Sequence, residues 1–414
     1  MSKLETLIQQ LCPDGVEYKK LGDITTITRG GNFQKKDFTD TGIPCIHYGQ
    51  IYTKYGLFAD RTFTFISEQS ASKQKYAEPN DIVMAVTSEN LEDVCKCVAW
   101  LGDVPAAVSG HTAIIHHSQN PKYLCYYFHS RHFQNQKNRM AHGTKVIEIT
   151  PNKLTDILLP VPPLEIQREI VRILDNFTEL TAELTAELTA RKKQYAYYRE
   201  HLLTFGDDIT FVEIGDVIKS LNTGLNPRRF FKLNTDDATN YYITIREIRN
   251  NTIVPSEKTD RINDEALQLC NNRSNLEIGD VLFSGTGTIG ETAVIEKEPR
   301  NWNIKEGVYT IKPNQDKLCP RFLMYLLQTQ KIRTAIMKKV AGGTVKSIPM
   351  GELKKISIPL PALDEQRRIV SILDRFDALC NDLTSGLPAE IAARQKQYEY
   401  YRDKLLTFNK ERLF

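Results

Sequence analysis

No stretch of this chain approaches the roughly 20 consecutive apolar residues that a membrane span requires. Its opening, MSKLETLIQQLC, lacks the basic-then-apolar layout of a secretory leader. Clustered cysteines are missing too. Cys12, Cys45, Cys95, Cys97, Cys125, Cys270, Cys319 and Cys380 are scattered, and the one close pair, at 95 and 97, has no second pair to complete a metal site. These features predict a cytoplasmic protein whose reduced thiols pack as small hydrophobes and which holds no metal. A strong charge bias is absent: 54 Lys and Arg stand against 51 Asp and Glu, a net charge of +3, so any surface for a polyanion must be local.

Catalytic signatures are equally scarce. There is no Walker A sequence, which argues against an ATP-driven motor. There is no N-P-P-[YF] motif for adenine methylation; Asn226-Pro227-Arg228-Arg229 is the nearest match and lacks the second proline. His111, His116, His117, His129, His132 and His142 lie in one region, but no H-x-x-x-H or H-E-x-x-H spacing joins them. One motif does tempt: Phe283-Ser284-Gly285-Thr286-Gly287-Thr288-Ile289-Gly290 fits both G-x-G-x-x-G and an F-x-G-x-G cofactor loop. A phosphate-cradling glycine loop must open a helix, because the helix N-terminal amides do the binding. The residues that follow, ETAVIEKEPRNW, read instead as a strand ending at Pro299. A tight turn between antiparallel strands is the expectation, with small residues that let another backbone approach. No catalytic residue is assigned.

What is present is an ordinary globular composition, 41% apolar and 25% charged over 414 residues, and a duplication. Residues 159–177 read LPVPPLEIQREIVRILDNF and residues 358–376 read IPLPALDEQRRIVSILDRF. The offset of 199 pairs Gln167 with Gln366 and Asp175 with Asp374, and holds back through Gly143 and Gly342 to Pro121 and Pro320. A second block, RKKQYAYYREHLLTF from Arg191 and RQKQYEYYRDKLLTF from Arg394, repeats at an offset of 203. A period near 200 marks a duplicated multi-element unit and excludes a solenoid.

Each unit begins with a mixed globule. Runs such as GIPCIHY, DIVMAV, YYITI and DVLFS, broken by Gly, Asn, Asp and Pro, read as strands and turns, with helical stretches at 121–140 and 320–339. Each unit ends in a long helix. Pro160, Pro162 and Pro163 forbid a helix upstream and set a start near Leu164, and no Gly or Pro follows before Gly206. The stripe Ile166, Ile170, Ile173, Phe177, Leu180, Leu184, Leu188, Tyr195, Tyr198 predicts an amphipathic helix of about 40 residues. The second copy runs through Ile369, Ile372 and Phe376, breaks at Ser385-Gly386-Leu387-Pro388 with Pro388 opening the restart, and resumes through Tyr398 and Tyr401. The predicted class is α+β: two mixed α/β globules separated by two long antiparallel helices, pseudo-twofold through the duplication. The boundaries are 1–158 and 206–357 for the globules, 159–205 and 358–414 for the helical regions. The helical stripes, richest in the KQYxYYR segments, leave apolar surface for helices of other subunits.

The P-x-P-x-L-x-x-Q-x-x-I-V-x-I-L-D-x-F opening, the R-x-K-Q-Y-x-Y-Y-R close and their alternation with variable globules resemble type I restriction–modification specificity subunits. The TAEL run and RQKQYEYYRDKLLTF are similar to the C subfamily. The resemblance implies a non-catalytic subunit whose two globules are target-recognition domains, each reading half of a bipartite, asymmetric double-stranded DNA site. It implies partners: two adenine-methyltransferase (modification) subunits docked on the helices, and restriction subunits with translocase and nuclease activity. It implies that S-adenosylmethionine, ATP and Mg belong to those partners, with no cofactor on this chain. A specificity subunit of a type IIB-like enzyme is the alternative.

Within that frame, base readout calls for side chains with donors and acceptors, and Lys and Arg for phosphates. The candidate DNA-binding residues are Arg29, Asn32, Lys35, Lys36, His47, Tyr48, Lys54 and Lys145 in the first globule. In the second they are Asn222, Arg228, Arg229, Arg246, Ser284, Thr286 and Lys346. The candidate subunit-interface residues are Ile173, Phe177, Leu184, Tyr195, Tyr198, Ile372, Phe376, Tyr398 and Tyr401.

Overall fold

The structure, a computed structural model, describes residues 2–206 and 208–408, apart from the side chain of Arg228. The chain divides into two units: Met1–Glu183 with Ala392–Phe414, and Leu184–Ile391.

The first unit is built on a sheet of five strands, β1 (Thr25–Arg29), β2 (Phe58–Ala59), β3 (Ile82–Ala85), β4 (Cys97–Trp100) and β5 (Thr112–His117), in the order β1-β5-β3-β4-β2. Both faces of β3 are buried, which is why DIVMAV reads as a continuous apolar run and does not alternate. A second five-stranded sheet centres on Ile43–Ile46 and Ala106–Val108, paired in parallel. Against the first sheet pack α1 (Pro121–Phe128) and α2 (Arg131–Met140), then the start of α3 (Leu164–Leu202). The expected single stretch over 121–140 is thus two helices. Ser130 is the reason: its hydroxyl accepts the Phe133 N–H, capping a new helix where the first one ends. Tyr123, Tyr126, Tyr127, Phe128 and Phe133 from this pair are fully buried.

The second unit repeats the plan. Strands β6 (Ile218–Thr223), β7 (Val281–Ser284), β8 (Thr292–Val294) and β9 (Val308–Pro313) run in the order β6-β9-β7-β8, the order of β1-β5-β3-β4. A smaller sheet pairs Asn240–Ile243 with Arg261–Ile262 and, in parallel, with Trp302–Ile304. Helices α4 (Pro320–Leu327), α5 (Gln330–Lys338) and α6 (Leu363–Asn381) pack on the main sheet. The chain then restarts as α7 (Leu387–Leu405), with Leu387 as the first helical residue and Pro388 second, one place later than the sequence suggests.

The 39 residues of α3 match the expected uninterrupted helix. Its beginning belongs to the first unit and its end to the second, and α7 makes the reverse passage. Within the second unit α3 runs antiparallel to α6: Lys192 lies beside Cys380, Tyr195 beside Asp377, and Tyr198 against Phe376. Two buried glutamines fix the helix starts. Gln167 accepts the Asn120 N–H at 3.0 Å and donates to the Pro162 carbonyl; Gln366 accepts the Cys319 N–H at 2.8 Å and donates to those of Pro361 and Lys317. Each ties a long helix to the loop before α1 or α4, satisfying backbone groups that burial would otherwise leave unpaired.

Candidate nucleic-acid interface

In both units the same edge is assembled in the same way. Residues Thr87–Ser88, just after β3, pair with Ile147–Glu148, and the latter fold back so that Glu148 bridges His142. In the second unit Thr286 bridges Ser347, which bridges Ala341. Gly143 (φ +105°) and Gly342 (φ +110°) turn the two hairpins; a Cβ at either would meet a backbone carbonyl oxygen, at 2.0 and 2.4 Å. The turn over Ser284–Gly290 links antiparallel β7 and β8, with Phe283 opposite Thr292. No helix opens after it, so its glycines serve a turn.

On the first unit's edge, Arg29 ends β1 and is paired at 3.6 Å with Glu148; Lys145 is exposed on the hairpin. Asn32 is exposed and its N–H donates to the Gln74 side chain; Lys35 and Lys36 are exposed on the following 3₁₀ turn. Tyr48 is half-buried with its ring 4.6 Å from His47 and 5.2 Å from the exposed His111. His47 itself is 5% exposed, and its Nδ1 accepts the Gly49 N–H as a helix cap. Burial, with Lys35 and His111 nearby, holds its pKa below the usual histidine range. His47 therefore leaves the set of direct contacts and becomes the support beneath Tyr48. Lys54 lies over the Phe63 ring at 5.5 Å.

In the second unit, Arg246, Asp260, Thr286, Lys305 and Glu306 line an open cavity of about 480 Å³. Arg246 donates to Asp260 at 2.9 Å, so part of its charge is answered within the chain. Pro227, also on the cavity, opens a short helix to Phe230 that exposes Arg229; the side chain of Arg228 lies outside the described residues. Lys346 is exposed, and its carbonyl accepts the Gly287 N–H, joining hairpin to turn. Asn222 is half-buried and donates weakly to the Ser274 carbonyl. Ser284 is fully buried, its hydroxyl donating to the Thr288 carbonyl and accepting the Glu291 N–H. It holds the turn and is withdrawn as a DNA contact. Arg246, Arg229, Thr286 and Lys346 thus gather at one edge, while Asn222 and Ser284 face inward.

The helical candidates need a larger correction. Phe177 stacks on Tyr401 at 5.4 Å, Tyr195 and Tyr198 stack on Phe376, and Tyr398 faces Tyr126. Ile173 packs on the first core. Tyr195 and Tyr398 are buried by their own chain, so neither offers surface to another subunit. Leu184 and Ile372 are half-buried. The exposed tyrosines of the KQYxYYR segments are Tyr197, 64% exposed, and Tyr400, 61%, at equivalent positions of the two copies. Helical geometry could have found them: two residues beyond Tyr195, Tyr197 is rotated by about 200° to the opposite face.

Among the described residues, no group of three or more His, Cys, Asp or Glu could hold a metal ion, and no helix is long and apolar enough to cross a membrane.

The type I restriction modification DNA specificity domain matches this chain twice, over residues 13–191 and 206–393. The chain belongs to the family of type I restriction–modification DNA specificity subunits. It is 31% identical to a putative type I restriction enzyme specificity subunit of Haemophilus influenzae, over 99% of this chain and 100% of that one. It is also 31% identical to the specificity subunit of the type I restriction enzymes EcoR124I/EcoR124II of Escherichia coli, over 99% of this chain and 98% of that one. The fold is that of a chain from a solved type I R-M system (TM-score 0.64, 21% identity, 95% of this chain and 98% of the other). It is shared by the S subunit of M. genitalium (TM-score 0.53, 13% identity, 95% and 96%).

Proposed function

We propose that each unit of this chain reads one half of a bipartite, asymmetric double-stranded DNA target, and that the helical regions dock two adenine-methyltransferase subunits to which restriction subunits add. The observation that carries this reading is the duplicated edge. One hairpin-and-turn frame is built twice, and its side chains differ: exposed Arg29, Lys35, Lys36 and Lys145 with half-buried Tyr48 in one unit, exposed Arg229, Arg246 and Lys346 with half-buried Thr286 in the other. A constant frame with variable side chains suits two different half-sites, since bases are read by side-chain chemistry and phosphates by position. The chain works in the cytoplasm and contributes no reaction of its own. S-adenosylmethionine, ATP and Mg act in the partners, a division supported by the turn geometry of Ser284–Gly290, which presents no helix N-terminus to a cofactor. Co-purification with the modification subunits, followed by methylation mapping on random DNA, tests it. Two short defined elements separated by a fixed spacer are expected; methylation without sequence preference would sink it.

A further inference from the structure

The first unit carries an element that the second lacks. Between the paired residues Met84 and Cys97 the chain uses twelve residues, 85–96; between Phe283 and Thr292, the equivalent pair, it uses eight, 284–291. The extra length forms a loop over Ser88–Val94, and one cation organises it. Lys137 of α2 is 0% exposed, and its ammonium donates to the carbonyls of Leu91, Glu92 and Val94 at 2.8, 3.1 and 2.9 Å. An ammonium has three N–H donors, and all three are used. Without them its burial would be prohibitive; burial still pulls its pKa below the ordinary lysine range.

At the same place in the second unit, 199 residues on, stands Ile336, buried in an apolar core. The core therefore does not demand a cation there; the loop does. The loop also closes on Cys95 at φ +69°, a left-handed conformation that side-chain-bearing residues seldom adopt and that persists only where the surroundings impose it. Lys137 supplies that constraint from beneath.

The loop leaves directly from Thr87–Ser88, the strand paired with Ile147–Glu148, and Glu148 holds Arg29. It occupies the place of the turn that brings Thr286 to the cavity in the second unit. Its tip exposes Glu89 and Glu92, whereas Asn90 and Asp93 are occupied with each other.

We propose that the loop Ser88–Val94 reads base edges in the half-site of the first unit and that Lys137 is its positioning residue. The inference rests on the DNA-reading function above. Carboxylates at the tip accept from the amino groups that cytosine or adenine presents in the major groove. A clamp on the main chain fixes their position independently of the phosphate contacts.

The test uses the full chain in complex with its modification subunits, on targets varied one base pair at a time. Lys137→Met replaces the cation by an apolar chain of similar length; Glu89→Ala/Glu92→Ala touches only exposed tip residues. Both variants should lose about tenfold discrimination at positions confined to one half-site and keep the other half-site intact. Either variant at unaltered discrimination overturns the proposal, and so does equal loss in both half-sites, which marks a general effect on folding or assembly. Absence of sequence preference in the unsubstituted complex is a separate result: it overturns the DNA-reading function beneath.

Discussion

Tyr126 donates its hydroxyl hydrogen to Asp175 at 2.7 Å, and 199 residues later Tyr325 donates to Asp374 at the same 2.7 Å. In each unit a cation completes the group, Lys122 at 2.7 Å from Asp175 and Arg321 at 2.8 Å from Asp374. These bonds fasten a long helix to the helical pair beneath it, and burial raises both tyrosine pKa values well above the ordinary range. A half-buried hydrogen bond to a charged acceptor is worth about 1.5–3 kcal/mol. Tyr126→Phe and Tyr325→Phe should each destabilise by about that much, and calorimetry of the two variants should show each acting on a different unfolding transition if the units melt separately.

The reciprocal make-up of the units predicts what half a chain does. The first unit is completed by residues 392–408, where Asp403 accepts the Arg131 N–H at the start of α2; in the second, Glu200 takes the same role for Gln330. A chain truncated after residue 205 lacks its own closing segment but carries the homologous one, RKKQYAYYREHLLTF. Two copies should therefore close each other as a true twofold dimer and, with modification subunits, direct methylation to an inverted repeat of one half-site. A monomer by light scattering, or retention of the asymmetric target, contradicts this.

Arg229 and Lys346 are exposed on the second unit's edge. Replacing both by Ala should weaken binding to every sequence alike and flatten the plot of log affinity against log salt by about 0.9 for each phosphate left without its cation. An unchanged slope assigns them to ordinary surface.

Acid should act on the first unit before the second. His129 is half-buried, its Nδ1–H donating to the Cys125 carbonyl, and desolvation lowers its pKa from 6.5 to about 4; His117 is lowered likewise to about 4. A histidine kept neutral in the fold contributes stability that is complete above pH 6.5 and is lost as pH falls toward 4, because the unfolded chain takes up the proton first. The repeat places Gln328 opposite His129. His129→Gln should flatten the stability profile of the first unit between pH 6.5 and 4, read by urea titration at several pH values.

The TAEL run spans the place where α3 passes from one unit to the other, at Glu183 and Leu184. Four added helical residues advance the chain by about 6 Å and rotate it by about 40°, against about 3.4 Å and 35° for one base pair. Inserting one TAEL after Leu188 should lengthen the unread spacer by about one base pair and leave both half-sites as they were. Methylation mapping that finds an altered half-site, or the original spacer, removes α3 as the ruler.

The helical scaffold was the legible part of the sequence. Prolines 160, 162 and 163 bound α3 on one side and Gly206 on the other, and the duplication anchored Gln167 to Gln366 without any tertiary information. Strand order was not legible, because β1, β3 and β5 meet through pairings far apart in the chain. Of the interface candidates, Tyr195 and Tyr398 were misassigned for a related reason. Periodicity finds an apolar stripe but not what covers it, and Phe376 and Tyr401 cover the stripe of α3 from within the same chain. The edge residues were half legible: charge and turn chemistry pointed to Arg29, Arg229 and Lys346, while the burial of His47 and Ser284 follows from neighbours that the local sequence does not name. Lys137 was visible only by setting it against Ile336.

The passage of α7 back to the first unit has a consequence for biosynthesis. The globule that leaves the ribosome first is the one completed last, since the closing segment follows the helices it closes by well over half the chain, 272 residues from Arg131 to Asp403. The second unit, by contrast, is one continuous segment and can mature as soon as it has emerged. Until translation is nearly finished, the nascent chain therefore exposes the apolar groove of Tyr126 and Phe177 that awaits Tyr398 and Tyr401. A premature stop just before Ala392 should spare the later-made half and cripple the earlier one, the reverse of what position along the gene suggests.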